Sequence, residues 1–365
     1  MSSIKRIGIL TAGGDCPGLN AVIRAVVKSS LRRDPRIQVT GILDGYAGLV
    51  ENRTRSLTES DVSGILVRGG TILGTSNRDN PFNYLSKGAT RPTDRSKDAL
   101  ATFRRLKLDG LIAVGGDGTL RCALDFERLG VPVIGVPKTI DNDLGETDVT
   151  FGFDSALTIA TEAVDRLHTT AESHHRVLIC EVMGRYAGWI ALHSGMSGGG
   201  DVILIPEIPY NIRAVCQSIQ NRKKRGRRFS IMVVAEGARP VGGTWITQGK
   251  YKGADKRPRL GGISHHIAAE IEKRTGDEVR VVILGHLQRG GIPTARDRWL
   301  ATHFGAHAVE LAARNHWGRM VNVRGTHFGD IPIAQAVNQL HRVDPTGEDV
   351  TVARSVGTSF GDRAA

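Results

Sequence analysis

The stretch "LDGLIAVGGDGTLRCALDFERLGVPVIGVPKTIDNDL", Leu108 to Leu144, decides the fold. A continuous apolar run, "LIAV", ends in two glycines and an aspartate. A segment with helical apolar spacing follows, "TLRCALDFERLG". A second apolar run, "VPVIGVP", then ends in the polar turn "KTIDND". Continuous apolar runs separated by helical patterns describe strands buried on both faces, hence parallel and joined by helices. The plan recurs in "RIGIL" with "TAGGDCPGLNAVIRAVVKSSLRR" and in "HRVLICEVMGRYAGWIALHSGMSGG". "DVILIPE", "RFSIMVVAEGA" and "VRVVILGHLQRGG" add strands that end in glycine or charged residues. The class is α/β, doubly wound with mostly parallel sheets. Beyond about Met320 long apolar runs are few; one helix near Ile333 to Leu340 and a loosely held end are expected there.

Composition narrows the function. A chain of 365 residues predicts two or three domains. No apolar run approaches the ~18 residues that span a bilayer, and "MSSIKRIGIL" runs straight into a strand pattern, so it reads as the start of the fold. Cys16, Cys122, Cys180 and Cys216 are dispersed without a CxxC pair, which argues against a zinc site or disulfide framework and fits a reducing cytoplasm. The net charge of +12 implies anionic partners. The densest basic run, "NRKKRGRRF", reads as a solvated loop, and with 5% aromatics and no groove-reading motif nucleic acid is disfavoured. Phosphorylated small molecules remain, with a non-enzymatic polyanion-binding protein as the competing reading.

The polar residues gather at strand ends, where doubly wound sheets bind ligands. Gly13 and Gly14 let backbone approach a ligand before a helix N-terminus, or simply make a tight turn; the segment matches neither GxGxxG nor GxxxxGK[ST]. Asp117, presented after Gly115 and Gly116, suits Mg²⁺ held by one or two carboxylates plus substrate phosphates; its plain alternative is a helix cap. "PKTIDNDL", Pro137 to Leu144, sets Asp141 and Asp143 beside Thr139, Asn142 and Lys138. A carboxylate there can accept a hydroxyl proton as the hydroxyl attacks phosphorus; the alternative is an Asx-rich turn. Arg185 stands at a strand end suited to phosphate, and Glu236 at another suited to sugar hydroxyls. His286 and Arg289, three apart among Gly285, Gly290 and Gly291, read as a phosphate cradle.

In order, "GGDCPGLNAVIR", "GGTILGTSNR", "GGDGTL", "PKTIDNDL", "EVMGRYAGW", "AEG" and "GHLQRGG" resemble the phosphofructokinase family, over about Ile7 to Phe304. The resemblance implies two Rossmann-like lobes with the active site in the cleft between them. It divides the chain into a donor lobe (1–152 plus about 288–320), a fructose 6-phosphate lobe (153–287) and a C-terminal extension from about 321. It implies Mg²⁺-dependent phosphoryl transfer to the 1-hydroxyl of fructose 6-phosphate, in glycolysis, by a cytoplasmic homotetramer. Residue by residue, Gly14, Arg78, Gly116, Gly118 and Thr119 resemble the donor site, Asp117 the metal ligand and Asp141 the general base, with Thr139 and Asp143 beside it. Arg185 resembles the group that stabilises the transferring phosphoryl. Met183, Gly184, Glu236, His286 and Arg289 resemble the sugar-phosphate site. Arg176 and Arg280 resemble the pair that reaches it from a neighbouring subunit. Arg24, Lys28 and Arg53 resemble basic positions of an effector pocket, where Asp201 replaces an expected glutamate.

Two positions bear on the donor. Gly118 resembles ATP users, because an aspartate there would crowd and repel a nucleotide's α-phosphate. Lys138 resembles pyrophosphate users, although a mixed branch with glycine then lysine resembles ATP users. Steric exclusion acts as a veto and an added lysine does not, so the reading favours ATP, with pyrophosphate as the alternative.

Overall fold

The strand Gly110–Gly115 is buried at every residue and lies in the middle of the larger sheet. It pairs in parallel with Arg6–Thr11 on one side and Val133–Thr139 on the other, in the register Leu111 to Val133 and Gly115 to Pro137. The computed structural model describes residues 4–250, 258–337 and 339–363. The full order of this sheet is His327–Pro332, Arg319–Arg324, Val133–Thr139, Gly110–Gly115, Arg6–Thr11, Gln38–Ile42 and Thr54–Leu57, with Phe151–Gly152 paired to Val133–Thr139. Its two outermost strands run antiparallel to their neighbours and the others are parallel. A four-stranded parallel sheet has the order Val279–Ile283, Val177–Val182, Ser230–Ala235 and Val202–Leu204. The short pair Thr247–Lys250 and Pro258–Leu260 stands apart from both.

Helical spacing sets how the intervening segments pack. In Asp117–Arg128 the buried residues are Thr119, Leu120, Cys122, Ala123 and Phe126, one face of a helix. Asp117 begins that helix and Arg128 lies in its last turn, charges that complement the helix dipole. The helix Phe153–His174 carries the chain from the larger sheet to the smaller one. Ile112 and Ile134 of the larger sheet, Ala160 of that helix and Val182 of the smaller sheet belong to one apolar cluster, so the two sheets share a core. The ends of both sets of parallel strands can therefore face one another at fixed geometry.

The last segment departs from expectation. The helix expected over Ile333 to Leu340 is a single turn, Ile333–Ala336. The strand Arg319–Arg324 straddles the expected start of the extension and belongs to the larger sheet. The end is firmly held rather than loose: Val343, Val350, Ala353 and Phe360 are all buried, and the helix Glu348–Ser355 packs on the helix Trp189–Ser197. Backbone pairing anchors it, since Ile203 N–H donates to Ser359 O and Ser359 N–H to Asp201 O. A polar stretch can be well ordered when its main chain is paired, and composition does not report that pairing.

Candidate active site

The strand Val133–Thr139 ends in a turn that Thr150 and Thr139 hold from inside. Thr150 N–H donates to Asn142 Oδ1 at 2.9 Å and its hydroxyl to Thr139 O at 2.8 Å. Asp141 N–H donates to Thr139 Oγ1 at 3.0 Å. Asn142 has φ 52°, the left-handed conformation that asparagine tolerates better than most residues, and it turns the chain between the two acids. Asp141 is buried and its Oδ1 has no hydrogen-bond partner. The Asp143 carboxyl is pushed up to about 7, chiefly by burial and then by the charges of Asp141 and Asp117. Three carboxylates thus converge at the ends of two adjacent strands. Asp117 meets Arg121, whose Nε lies 3.0 and 2.9 Å from its two oxygens.

Beside them lies the glycine turn after the first strand. Lys138 is buried and its Nζ donates to Gly14 O. Burial lowers its pKa. Arg289 comes from the other side: its Nη1 donates to Asp15 O at 3.0 Å and would sit 2.7 Å from a Cβ on Gly14. Gly13 N–H donates to Ser76 O, and Thr119 Oγ1 lies 3.5 Å from where a Gly13 Cβ would be. A Cβ on Gly116 would come within 3.4 Å of Lys138 O, whereas one on Gly118 would meet no atom within 4 Å.

The smaller sheet contributes the facing groups. Arg185 N–H donates to Glu236 Oε1 at 3.3 Å. The Glu236 carboxyl is pushed up to about 7 by burial first and then by the charge of Asp141, against the pull of Arg185. The charge of Asp141, on the larger sheet, is therefore felt by Glu236 on the smaller one. Gly184 has φ 136° and a Cβ there would lie 2.5 Å from Ala187 O, so this tight turn needs glycine. Met183 N–H donates to Gln288 Oε1 at 2.8 Å, and Gln288 is fully buried. The sequence reading missed Gln288: a single glutamine among glycines carries no signal until the fold seats it under Met183. It also missed Arg121, four residues after Asp117 on the same helix, which the i,i+4 spacing could have found.

The structure thus brings Gly14, Asp117, Lys138, Thr139, Asp141, Asp143, Arg185, Glu236 and Arg289 to one region. Arg176 and Arg280 are elsewhere. They flank Glu278, with Arg176 Nε 2.7 Å from its carboxylate, at the beginnings of the strands rather than their ends. Arg78 and His286 are exposed, the first beside Ser76 and the second in the 3₁₀ turn Gly285–Arg289. Lys28 pairs with Glu59, Arg53 with Asp44 and Glu51, and Asp201 with Arg222. Among the described residues no group of three or more His, Cys, Asp or Glu side chains could by itself hold a metal ion, and no helix is long and apolar enough to cross a membrane.

The family pattern described as Phosphofructokinase matches residues 6–312. A Chloroflexus aurantiacus protein named "ATP-dependent 6-phosphofructokinase" is 52% identical over 364 residues, 99% of each chain. A Streptomyces coelicolor protein named "Pyrophosphate--fructose 6-phosphate 1-phosphotransferase" is 50% identical over 357 residues, covering 98% of this chain and 100% of its own. The solved phosphofructokinase of Saccharomyces cerevisiae superposes with TM-score 0.77 at 31% identity, over 91% of this chain and 45% of that one. With the ordered motifs and the converging carboxylates, these likenesses place the chain in the phosphofructokinase family, the phosphotransferases that act on fructose 6-phosphate.

Proposed function

We propose that this chain is an ATP-dependent 6-phosphofructokinase that transfers the γ-phosphoryl group of ATP to the 1-hydroxyl of fructose 6-phosphate, giving fructose 1,6-bisphosphate. The observation that carries it is Asp141: a buried carboxylate with an unpartnered oxygen, whose charge acts on both Asp143 and Glu236, the latter bonded to Arg185 N–H. A general base needs a free lone pair aimed at the proton it removes, and a buried one costs stability unless a ligand uses it. Glu236 accepts sugar hydroxyls, Arg185 stabilises charge on the transferring group, and Met183, Gly184, His286 and Arg289 line the sugar-phosphate side. Gly14, Gly116, Thr119 and Arg78 line the donor side.

The residues fit Mg²⁺. Asp143 resists ionisation first because it is buried and then because of the charges of Asp141 and Asp117, and a cation would offset both. Asp117 would hold the ion with donor phosphates completing its shell, in keeping with its preference for one or two protein carboxylates. When bound, Mg²⁺ neutralises charge on the donor phosphates.

The donor assignment rests on Gly118. The open space around it is not needed by the protein's own packing, and a side chain there would occupy room available to a nucleotide. Two relatives of almost equal identity have names with different donors, so overall similarity does not decide this. Pyrophosphate is the second reading, favoured by the buried ammonium of Lys138 beside the Gly14 carbonyl.

The larger sheet and its helices form the donor lobe (1–152 plus about 288–320, now with the strands up to 332), and 153–287 the sugar-phosphate lobe. Arg176 and Arg280 serve the site of a neighbouring copy, which makes the enzyme a homo-oligomer, a tetramer by family resemblance. Supporting this, Arg280 lies on Val279–Ile283, the outermost strand of its sheet among the described residues, where Val282, Ile283 and the nearby Leu287 are exposed apolar residues. A cytoplasmic location fits the four unpaired cysteines. The test is a parallel assay with fructose 6-phosphate, Mg²⁺ and either ATP or pyrophosphate. An ATP kcat/KM that exceeds the pyrophosphate value supports the reading; the reverse makes Lys138 the donor determinant, and no transfer from either donor removes the function.

A further inference from the structure

Val337 and residues 339–343 lie beside the candidate active site and contact it in several places. Arg121, which clasps Asp117, also donates from Nη2 to Val337 O at 2.6 Å. Gln339 O lies 2.5 Å from where a Cβ on Gly145 would be, so the two backbones touch just past the acid turn. Leu340 forms an isolated antiparallel bridge with Leu144. His341 N–H donates to Asp143 O at 3.0 Å, and His341 Nδ1 lies 3.0 Å from Asn142 O. A carbonyl only accepts, so Nδ1 carries the proton in that contact. On its other side His341 O accepts from Trp189 Nε1 at 3.0 Å, and the two rings lie 4.6 Å apart. Val343 N–H donates to Glu207 Oε1, which also accepts from Gly188 N–H at 2.9 Å.

The segment thus ties the acid turn of the larger sheet to Gly188 and Trp189, which follow Arg185 on the smaller one. From this we infer that His341 is a positioning residue for phosphoryl transfer, holding the Asn142 carbonyl so that the left-handed turn keeps Asp141 and Asp143 aimed at the substrate. This rests on the proposed function of the same site. Asn142 sits between the two acids with φ 52°, a left-handed conformation that asparagine adopts at a modest cost and that contacts around it help hold. Thr150 holds its side chain and His341 its carbonyl. A misplacement of about 1 Å at a general base can cost roughly 100-fold in rate while leaving substrate contacts made elsewhere intact.

The test compares His341→Ala, His341→Asn and Trp189→Phe with the parent enzyme. His341→Ala is expected to lower kcat about 30-fold with KM for fructose 6-phosphate changed less than about threefold. His341→Asn, which keeps a side-chain N–H donor, is expected to recover much of that loss. Trp189→Phe removes the indole donor, keeps an aromatic ring and is expected to cost kcat about threefold. Amide hydrogen exchange is measured alongside, because it does not depend on turnover. Exchange over residues 140–146 is expected to speed up at least about fivefold in His341→Ala, with the rest of the larger sheet unchanged. If His341→Ala fails to fold, the asparagine variant and Trp189→Phe carry the same comparison. Parental kcat and parental exchange in the folded variants would overturn the inference, as would equal losses in the alanine and asparagine variants. A parent inactive with both donors would sink the functional reading alone, and the exchange measurement would still decide whether His341 holds the turn.

Discussion

The Nζ of Lys138 donates to the carbonyl oxygen of Gly14, so the residue that opens the acid turn is bonded to the glycine turn 124 positions earlier in the chain. The ammonium is buried there. The other donor position differs: Gly118 faces open space. Lys138 therefore has a place in the ligand-free fold, whereas nothing in the protein requires glycine at 118.

Gly118→Asp should accordingly leave the fold intact and change donor use. Its Tm is expected within about 2 °C of the parent, because its φ is not left-handed and no neighbour is crowded. Steady-state kinetics should show kcat/KM for ATP reduced about 100-fold, roughly 2.7 kcal/mol of lost transition-state stabilisation. An ATP value within threefold of the parent would refute the steric account of donor choice.

Replacing Asp141 by Asn keeps its shape and removes the base. Turnover is expected to drop by about 10³-fold, within the range for general-base loss, while KM for fructose 6-phosphate moves less than threefold. Stability should hold or rise, since the unpartnered Oδ1 belongs to a buried carboxylate among other acids. Calorimetry on the same sample checks this; a large fall in Tm would mean that Asp141 is structural.

The two raised carboxyls fix the sign of a pH effect. Asp143 and Glu236 go from ordinary values of 3.8 and 4.5 to about 7 in the folded protein. Between about pH 4 and 7 the folded state holds protons that the unfolded chain has released, so stability falls as pH rises through that window; above about 7 the penalty is constant. Glu236→Gln removes its share. The variant should match the parent near pH 4 and exceed it by about 3 °C in Tm at pH 8, in the absence of ligands. Parallel Tm profiles for the two proteins would show that Glu236 ionises normally.

A shared site predicts complementation. Arg280→Ala should raise KM for fructose 6-phosphate by at least about tenfold, although Arg280 lies at the strand start with Glu278 and away from the chain's own acid cluster. Coexpressing Arg280→Ala with Asp141→Asn should then give hybrid assemblies with more activity at low fructose 6-phosphate than either variant alone. No gain on mixing, with hybrids verified by mass, would place Arg280 outside the partner's site.

Much of this protein is legible in its residues. The runs "LIAVGG" and "VPVIGVP" are buried strands because their apolar residues are continuous, and Thr119, Leu120, Ala123 and Phe126 fall on one face because a helix repeats every 3.6 residues. Asp117 and Asp141 could be picked out as chemical residues because glycines and a paired acid are poor choices for plain turns. These are local properties, set by neighbours within about ten positions. Other features depend on chain segments that are far apart. The charge of Asp141 reaches Glu236 only because helix Phe153–His174 docks two sheets on one core. His341 reaches Asn142 across 199 positions through backbone and ring atoms, in a stretch whose composition reads as loose. Sequence by itself determined the sheets, the turns and the chemistry of each motif, because periodicity and glycine placement act locally. Only the tertiary structure decided which motifs share a site, which residues the closing segment holds and where burial raises a carboxyl, because desolvation and charge act through space.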